Sequence, residues 1–570
     1  METGKRVGWT SLPQMMLELA AERQSRPMLR HWQDSAWRQV SWAEFAHRVA
    51  AVAAGLRAAG VGPGERVLLV SENRPEFLIA DTALMAIGAV TVPTYTTNMA
   101  ADHAHILRDS GARVAIVSTA ALAETVAKAA AEAGGLDLLV SMERAAPPGL
   151  RVITWAELET AGGDLGLLRA EAEQIPPGRL ACLIYTSGTG GAPKGVMLPH
   201  RAMLANRAGV AELAERLQLD GTCYLSFLPL SHSYEHTVGG FLLPSFGVEV
   251  VYSRGADRIA AEFQEIRPAV VTAVPRLFEV LRARILAGVE KEGGLKEKLF
   301  RQALALGLRK LDGPPLGLVE RLQDAVLDRL VRDKVRARFG GRLLCMVSGG
   351  ARLDPDLSGF FLALGLPVIQ GYGQTEAGPV VSVNLPWDNR RDTVGPPLPG
   401  VAARINPDGE LCVAGELVMD GYWNQPEATA AAIQDGWLHT GDIAEMEAGR
   451  IRITDRKRDF IKTLGGDMVS PAKLESLLMA EPEIAQAVVA GEGQPGIVAL
   501  IVPAEGMEAK VQEAVSRVNA KLSIIERIRR IGTVPAFTVE NGMLTPTMKV
   551  KRRVVLDAHA AQVEALHGRN

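Results

Sequence analysis

The spacing of apolar positions switches repeatedly between two patterns along the chain. From about residue 40, stretches with apolar residues three or four apart alternate with short unbroken apolar runs. Trp42 to Ala59 predicts a helix ending at Gly60, and Val67–Val70, after Gly62-Pro63-Gly64, predicts a buried strand. Pro75 to Ile87 predicts a helix, Ala89–Pro93 a strand and Ala100 to Leu107 a helix. Val114–Val117 predicts a strand, Ala120 to Ala133 a helix and Leu136–Val140 a strand. Apolar strands separated by helices predict a parallel sheet covered on both faces, hence an α/β fold. Ala145 to Pro177 is richer in Pro and Gly and reads as connecting chain, and a second α/β region begins with the strand Leu180–Ile184. Between Glu279 and Gly340 the chain is charged and Leu-rich, with Val319, Leu322, Val326 and Leu330 on one helical face. Its other face mixes charges of both signs, so the helix is expected to pack on the body, with weak peripheral membrane contact as the alternative. Short strands and turns follow from about Gly409, and a mixed αβ tail follows Asp455.

Composition narrows the function classes. The 62 Lys and Arg against 65 Asp and Glu leave a net charge of −3, which argues against a nucleic-acid partner. With 47% hydrophobic and 22% charged residues, the chain has ample core material and little reason to be disordered. Cys182, Cys223, Cys345 and Cys412 are too far apart for metal-ligand spacing and are expected as buried, reduced thiols. The N-terminal residues contain no apolar signal core, and the longest apolar stretch, Phe77 to Pro93, is interrupted by Asp81. A soluble cytoplasmic protein is expected.

Candidate chemistry lies in three motifs, with three further segments beside them. Thr186-Ser187-Gly188-Thr189-Gly190-Gly191 runs on to Pro193-Lys194-Gly195 directly after a strand. Three glycines, three hydroxyls and a lysine suit a loop that holds a polyphosphate. It is not a Walker A loop, because Pro193 precedes Lys194 and Gly195 follows it, nor is it a GxGxxG fingerprint. Gly371-Tyr372-Gly373-Gln374-Thr375-Glu376 follows the strand-like Leu366–Ile369; its glycines let a ring lie beside a flat ligand, and Glu376 offers a hard oxygen suited to Mg²⁺. Thr440-Gly441-Asp442 places a carboxylate able to accept two hydrogen bonds from a ribose diol. Read by composition alone, Arg456-Lys457-Arg458 is a solvated basic face, the segment around Lys549 a basic tail, and His232 a structural histidine.

These motifs, in this order over roughly residues 15 to 555, resemble the AMP-forming acyl-CoA synthetases of the adenylate-forming superfamily. The resemblance implies a large N-terminal domain, residues 1–455, holding the ATP and acyl sites, and a small mobile α+β C-terminal domain, residues 456–570. It implies that the Thr186–Lys194 loop holds the ATP phosphates, although the family has Thr or Ser at the place of Gly190. Tyr372 would then stack near adenine, Thr375 approach the α-phosphate, and Glu376 with Thr186 hold Mg²⁺. Gly349-Gly350-Ala351 would line the adenine and acyl site, and His232 would sit beside the acyl carboxylate. The segment Pro275 to Glu279 matches an architectural motif. Asp442 and Arg456 would contact ribose, Arg458 would be the hinge (usually Asp or Lys in the family), and Gly465-Gly466 would line the path of the CoA thiol. Lys549 would be the mobile catalytic lysine, with Lys551 as alternative; family members often have Gly where Met548 stands. Asp435 to Lys462 and the helical segment after Glu279 resemble the long-chain branch, implying a medium- to long-chain fatty acid as substrate. The alternatives are an aryl or branched acid, or a carrier protein in place of CoA.

Overall fold

The computed structural model describes residues 8–186, 192–457, 461–465, 468–545 and 548–568. The chain divides into two compact units. The first runs through Leu353 and includes Ser358–Ala403 and Cys412–His439; the second comprises Asp354–Leu357, Arg404–Leu411 and the chain from Thr440 onward.

The first unit contains two eight-stranded sheets. One has the order Gly421–Tyr422, Lys194–Pro199, Leu180–Thr186, Val90–Thr94, Arg66–Val70, Val114–Val117, Leu138–Ser141, Arg151–Thr154. Its pairings are parallel from Leu180–Thr186 onward and antiparallel at the Gly421 edge. The other has the order Val380–Val383, Val368–Gly373, Cys345–Ser348, Val270–Ala273, Cys223–Ser226, Glu249–Tyr252, Pro27–Gln33, Ala36–Ser41, and is parallel except at its two ends. The periodic reading therefore holds: helices stand at Trp42–Ala58, Pro75–Ala86, Ala100–Ser110 and Ala120–Ala133.

Pro75–Ala86 is the keystone of this unit. Pro75 starts it at a position that needs no N–H donor. It touches strands of both sheets and is buried around its whole circumference, so each of Phe77, Leu78, Ile79 and Leu84 contributes about 1.5–3 kcal/mol of apolar burial. Its one acidic interior residue, Asp81, lies 2.9 Å from the equally buried His236.

The N-terminal hairpin was not expected from periodicity. Asp34 and Ser35 join its strands with φ of 50° and 60°, the left-handed pair that a two-residue hairpin turn requires. The expected packing of the Val319 face is also overturned: Val319, Leu322, Val326 and Leu330 point to solvent, and the charged face turns inward. The four cysteines are free thiols, three of them buried. No described helix is long and apolar enough to cross a membrane.

The second unit builds its core on a three-stranded sheet, Ile484–Ala490, Ile497–Pro503 and Ile528–Thr533, packed by Pro471–Met479 and Val511–Asn519. The strand Trp437–Glu447 pairs from Asp442 onward with Arg450–Arg456 as an antiparallel hairpin.

Candidate functional site

In the first unit, the ends of the expected phosphate loop are held by a strand pair. Thr186 stands opposite Lys194 where the antiparallel strands Leu180–Thr186 and Lys194–Pro199 meet the loop. Ser187, Gly188, Thr189, Gly190 and Gly191 lie outside the described residues. The helix Ala100–Ser110 braces the described part of this hairpin. His105 Nε2 donates to the Pro193 carbonyl at 2.9 Å, and the Tyr185 hydroxyl donates to Asp109 at 2.6 Å. The Asp109 carbonyl in turn accepts from Trp423 Nε1 and Asn424 Nδ2, each at 3.0 Å.

Tyr422 joins two expected site residues that are far apart in sequence. It pairs with Val196 at the sheet edge, which brings its ring within 4.9 Å of Lys194 Nζ. Its hydroxyl donates to Glu376 Oε1 at 2.8 Å. The ring face stabilises the ammonium by about 0.5–1 kcal/mol. The result is a lysine, a phenol and a half-buried carboxylate in one chain of contacts.

Glu376 occupies the short turn Thr375–Ala377 after the strand Val368–Gly373, and its backbone carbonyl accepts from Met419. Gly373 is required here by close approach, because a Cβ would collide with the Pro379 carbonyl oxygen. Tyr372 and Gly371 lie on the same strand, and Tyr372 is half-buried. The Thr375 and Ser233 hydroxyls lie 2.8 Å apart, tying this turn to the one that carries His232. His232 Nδ1 accepts from the Tyr234 N–H at 3.2 Å, which leaves the proton of the neutral ring on Nε2. The Tyr234 hydroxyl donates to the Val347 carbonyl, and its ring covers Gly349, where a Cβ would come within 2.9 Å. Gly350, at φ +80°, and Ala351 follow at the exposed strand end.

Behind this group sits a buried carboxylate that the sequence motifs did not single out. Glu235 accepts hydrogen bonds from Ser226 and Tyr224, each at 2.6 Å, and from Thr272 at 3.2 Å. Burial still dominates over these donors and raises its pKa to about 7.

In the second unit, Asp442 and Arg456 are cross-strand partners, and Arg456 Nε donates to Asp442 Oδ1 at 3.1 Å. Asp442 is buried. Lys457 is tied to Asp408 at 2.6 Å and Glu410 at 3.0 Å, which raises its pKa. Arg458 and Gly466 lie outside the described residues; Gly465 is exposed beside the hairpin Ile461–Lys462 and Met468–Val469. Lys549 sits in a tight turn of its own: Thr545 N–H donates to the Lys549 carbonyl at 2.7 Å, and Lys549 N–H donates to Thr545 Oγ1 at 3.0 Å. Met548 in this turn has φ +62°, a left-handed conformation that costs a non-glycine residue about 1–2 kcal/mol. The glycine that the family resemblance leads one to expect here would adopt this φ without that cost. Lys551 is anchored by its N–H to the Met543 carbonyl just before the helix Arg552–Ala558.

Thus Lys194 and Glu376 are linked through Tyr422, the His232 turn is linked to Thr375, and Asp442 is linked to Arg456. Sequence reasoning missed Tyr422, His105, Asp109 and Ser233. Gly421-Tyr422 carries no spacing that points to Glu376, and the contact exists only because the short edge strand folds back on Lys194–Pro199.

Comparison with known proteins finds similarity over nearly the whole chain. The AMP-binding enzyme family matches residues 17–423, and the AMP-binding enzyme C-terminal domain matches residues 458–570. The long-chain-fatty-acid–CoA ligases FadD15 of Mycobacterium bovis and Mycobacterium tuberculosis are 35% identical over 566 residues, covering 94% of this chain and 93% of theirs. The solved adenylation domain of a carboxylate reductase from Mycobacterium chelonae shares the fold with a TM-score of 0.74 at 22% identity, covering 100% of this chain and 92% of that one. The anthranilate CoA ligase AuaEII, solved with anthranoyl-AMP, superposes with a TM-score of 0.74 at 22% identity over 99% of this chain and 100% of its own.

Proposed function

Because the chain belongs to the family of AMP-binding enzymes, we propose that it uses ATP to convert a medium- to long-chain fatty acid, through an acyl-AMP, into acyl-CoA. The observation that carries this reading is the 35% identity to FadD15 over nearly the whole chain, joined to the Lys194–Tyr422–Glu376 linkage.

A carboxylate is a poor acyl donor because its leaving group would be oxide. In the first half-reaction a carboxylate oxygen bonds to the α-phosphorus of ATP and pyrophosphate leaves. In the second, a CoA thiolate sulfur bonds to the acyl carbon and AMP leaves. The task of the protein is positioning and charge neutralisation. Lys194 and the loop beginning at Thr186 would hold the β- and γ-phosphates. Asp442 would accept from the ribose hydroxyls, with Arg456 fixing its orientation. His232, its proton held on Nε2, would donate to the acyl carboxylate and align it. Lys549 would neutralise the negative charge gathering between carboxylate and α-phosphate.

The Glu376 carboxylate and the Thr186 hydroxyl are hard oxygen donors of the kind that suits Mg²⁺, and Tyr422 orients the carboxylate through one oxygen. When bound there, Mg²⁺ would supply positive charge beside the polyphosphate. The two half-reactions need different groups at the same carbon. Rotation of residues 456–570 about Arg458 would withdraw Lys549 and bring Gly465 and Gly466 to the thiol path.

The test is product analysis with ATP, Mg²⁺ and a series of straight-chain, branched and aryl acids, with and without CoA. AMP and acyl-CoA formed together, best with one fatty-acid length range, are expected. Acyl transfer only to a carrier protein, or preference for an aryl acid, would replace this reading.

A further inference from the structure

The helix Leu318–Leu327 has two opposite faces. Inward, its acids are all engaged. Glu320 pairs with Arg309, and Asp324 pairs with Arg332 at 2.7 Å and Lys310 at 3.1 Å. In the helical segments that follow, Asp328 and Asp333 pair with Arg336. Buried Leu327 and the Arg332 Nη2 bond to the Ala303 carbonyl at 2.8 Å fix the helix to its neighbours. Outward the chemistry is reversed. Leu318 is 84% exposed, Val319 81%, Leu322 70% and Val326 50%, a stripe that Leu330 continues. Arg321, Arg329 and Lys334 are exposed around this stripe, and among the described residues none has an acidic partner within ion-pair distance. Residues 280–342 carry 15 Lys and Arg against eight Asp and Glu, a surplus of seven in a chain whose net charge is −3.

We propose that this face docks the protein on an anionic phospholipid bilayer, with the helix lying in the headgroup plane. An apolar stripe about 15 Å long on a tethered helix can enter the headgroup–acyl boundary without crossing it. The surrounding cations then meet lipid phosphates. A second copy of the chain is a poor occupant by the same charges, since a two-fold contact would set one basic surface against another.

The experiment is co-sedimentation of the full chain with vesicles of pure phosphatidylcholine and of phosphatidylcholine doped with phosphatidylglycerol. Wild-type protein is expected to bind the anionic vesicles and to be released as salt rises. The double variant Leu322→Glu/Val326→Glu should bind at least about tenfold more weakly, since charged groups replace the apolar stripe. Arg321→Glu/Arg329→Glu should lose the preference for phosphatidylglycerol. These side chains are exposed, so thermal midpoint and turnover of a short water-soluble acid should stay at wild-type values; Leu322→Ser/Val326→Ser serves if the glutamates disturb folding. Three results overturn the proposal. One is wild-type protein that ignores both vesicle types. Another is variants that bind as well as wild type. The last is a wild-type dimer that the same substitutions dissociate.

Discussion

The expected site residues of the two units are held in contrasting ways. In the first unit, Lys194 and Glu376 are cross-linked through Tyr422, the loop hairpin is braced by His105 and Asp109, and the His232 turn is bonded to Thr375. In the second, Lys549 rests in a turn closed by its own backbone and Thr545, with Met548 forced to positive φ. The first arrangement is a fixed cradle made from several distant segments. The second is a local turn whose shape is set within its own few residues. The proposed two-step reaction would use both: groups that would hold nucleotide throughout, and one group that would serve only the first half.

The sharpest break of this contrast is Lys549→Ala. ATP–pyrophosphate exchange is expected to fall by about 10²–10³, the cost of losing one group aimed at developing charge, while thioester formation from supplied acyl-AMP stays near wild type. Equal loss of both half-reactions would show that Lys549 is not confined to the first.

The stiffness of the cradle is tested through Glu235. Its folded pKa of about 7 lies above its ordinary 4.5, so the folded state holds a proton that the unfolded state releases. The associated stability is complete below pH 4.5 and is lost as pH rises through 7, by about 3 kcal/mol in all. Urea unfolding at several pH values should show this decline, and Glu235→Gln should flatten it. A slope unchanged in the variant would refute the assignment.

Tyr422→Phe removes the hydroxyl bond to Glu376 but keeps the ring beneath Lys194. It should lower activity about tenfold and raise the Mg²⁺ concentration needed for half-maximal rate, as loss of an orienting partner does. An unchanged Mg²⁺ requirement would leave Tyr422 a packing residue. The smallest effect is expected from Met548→Gly, which relaxes the Lys549 turn: unfolding of the second unit should move by at most about 1 kcal/mol toward greater stability. Marked destabilisation would mean the methionine side chain, not the turn, holds Lys549.

What could be read from the sequence follows the same contrast. Elements whose periodicity is set by burial, such as Pro75–Ala86 and Val114–Val117, stand where the pattern put them. The hairpin at Asp34-Ser35 escaped because its turn lacks the glycine that usually marks positive φ. Tyr422 escaped because it is 46 positions from Glu376, and only edge pairing brings them together. The helix Leu318–Leu327 shows a subtler limit. Periodicity identified its apolar face, but the partners of Glu320 and Asp324 decide which face turns inward, and they come from other helices.

The all-round burial of Pro75–Ala86 also constrains the order of assembly during synthesis. Its cover comes from helices and strands on both sides of it in the sequence, and reaches as far along the chain as His236, which lies 2.9 Å from Asp81. Until then an apolar helix with no water-tolerant side must wait some 150 residues for its full cover. At about 5–20 residues per second that is a delay of roughly 8–30 seconds on the ribosome. A nascent chain halted near Pro199 should therefore bind holdase chaperones and aggregate on release, whereas one extended past Val383 should not. Translation speed across the middle of the message thus becomes a determinant of yield.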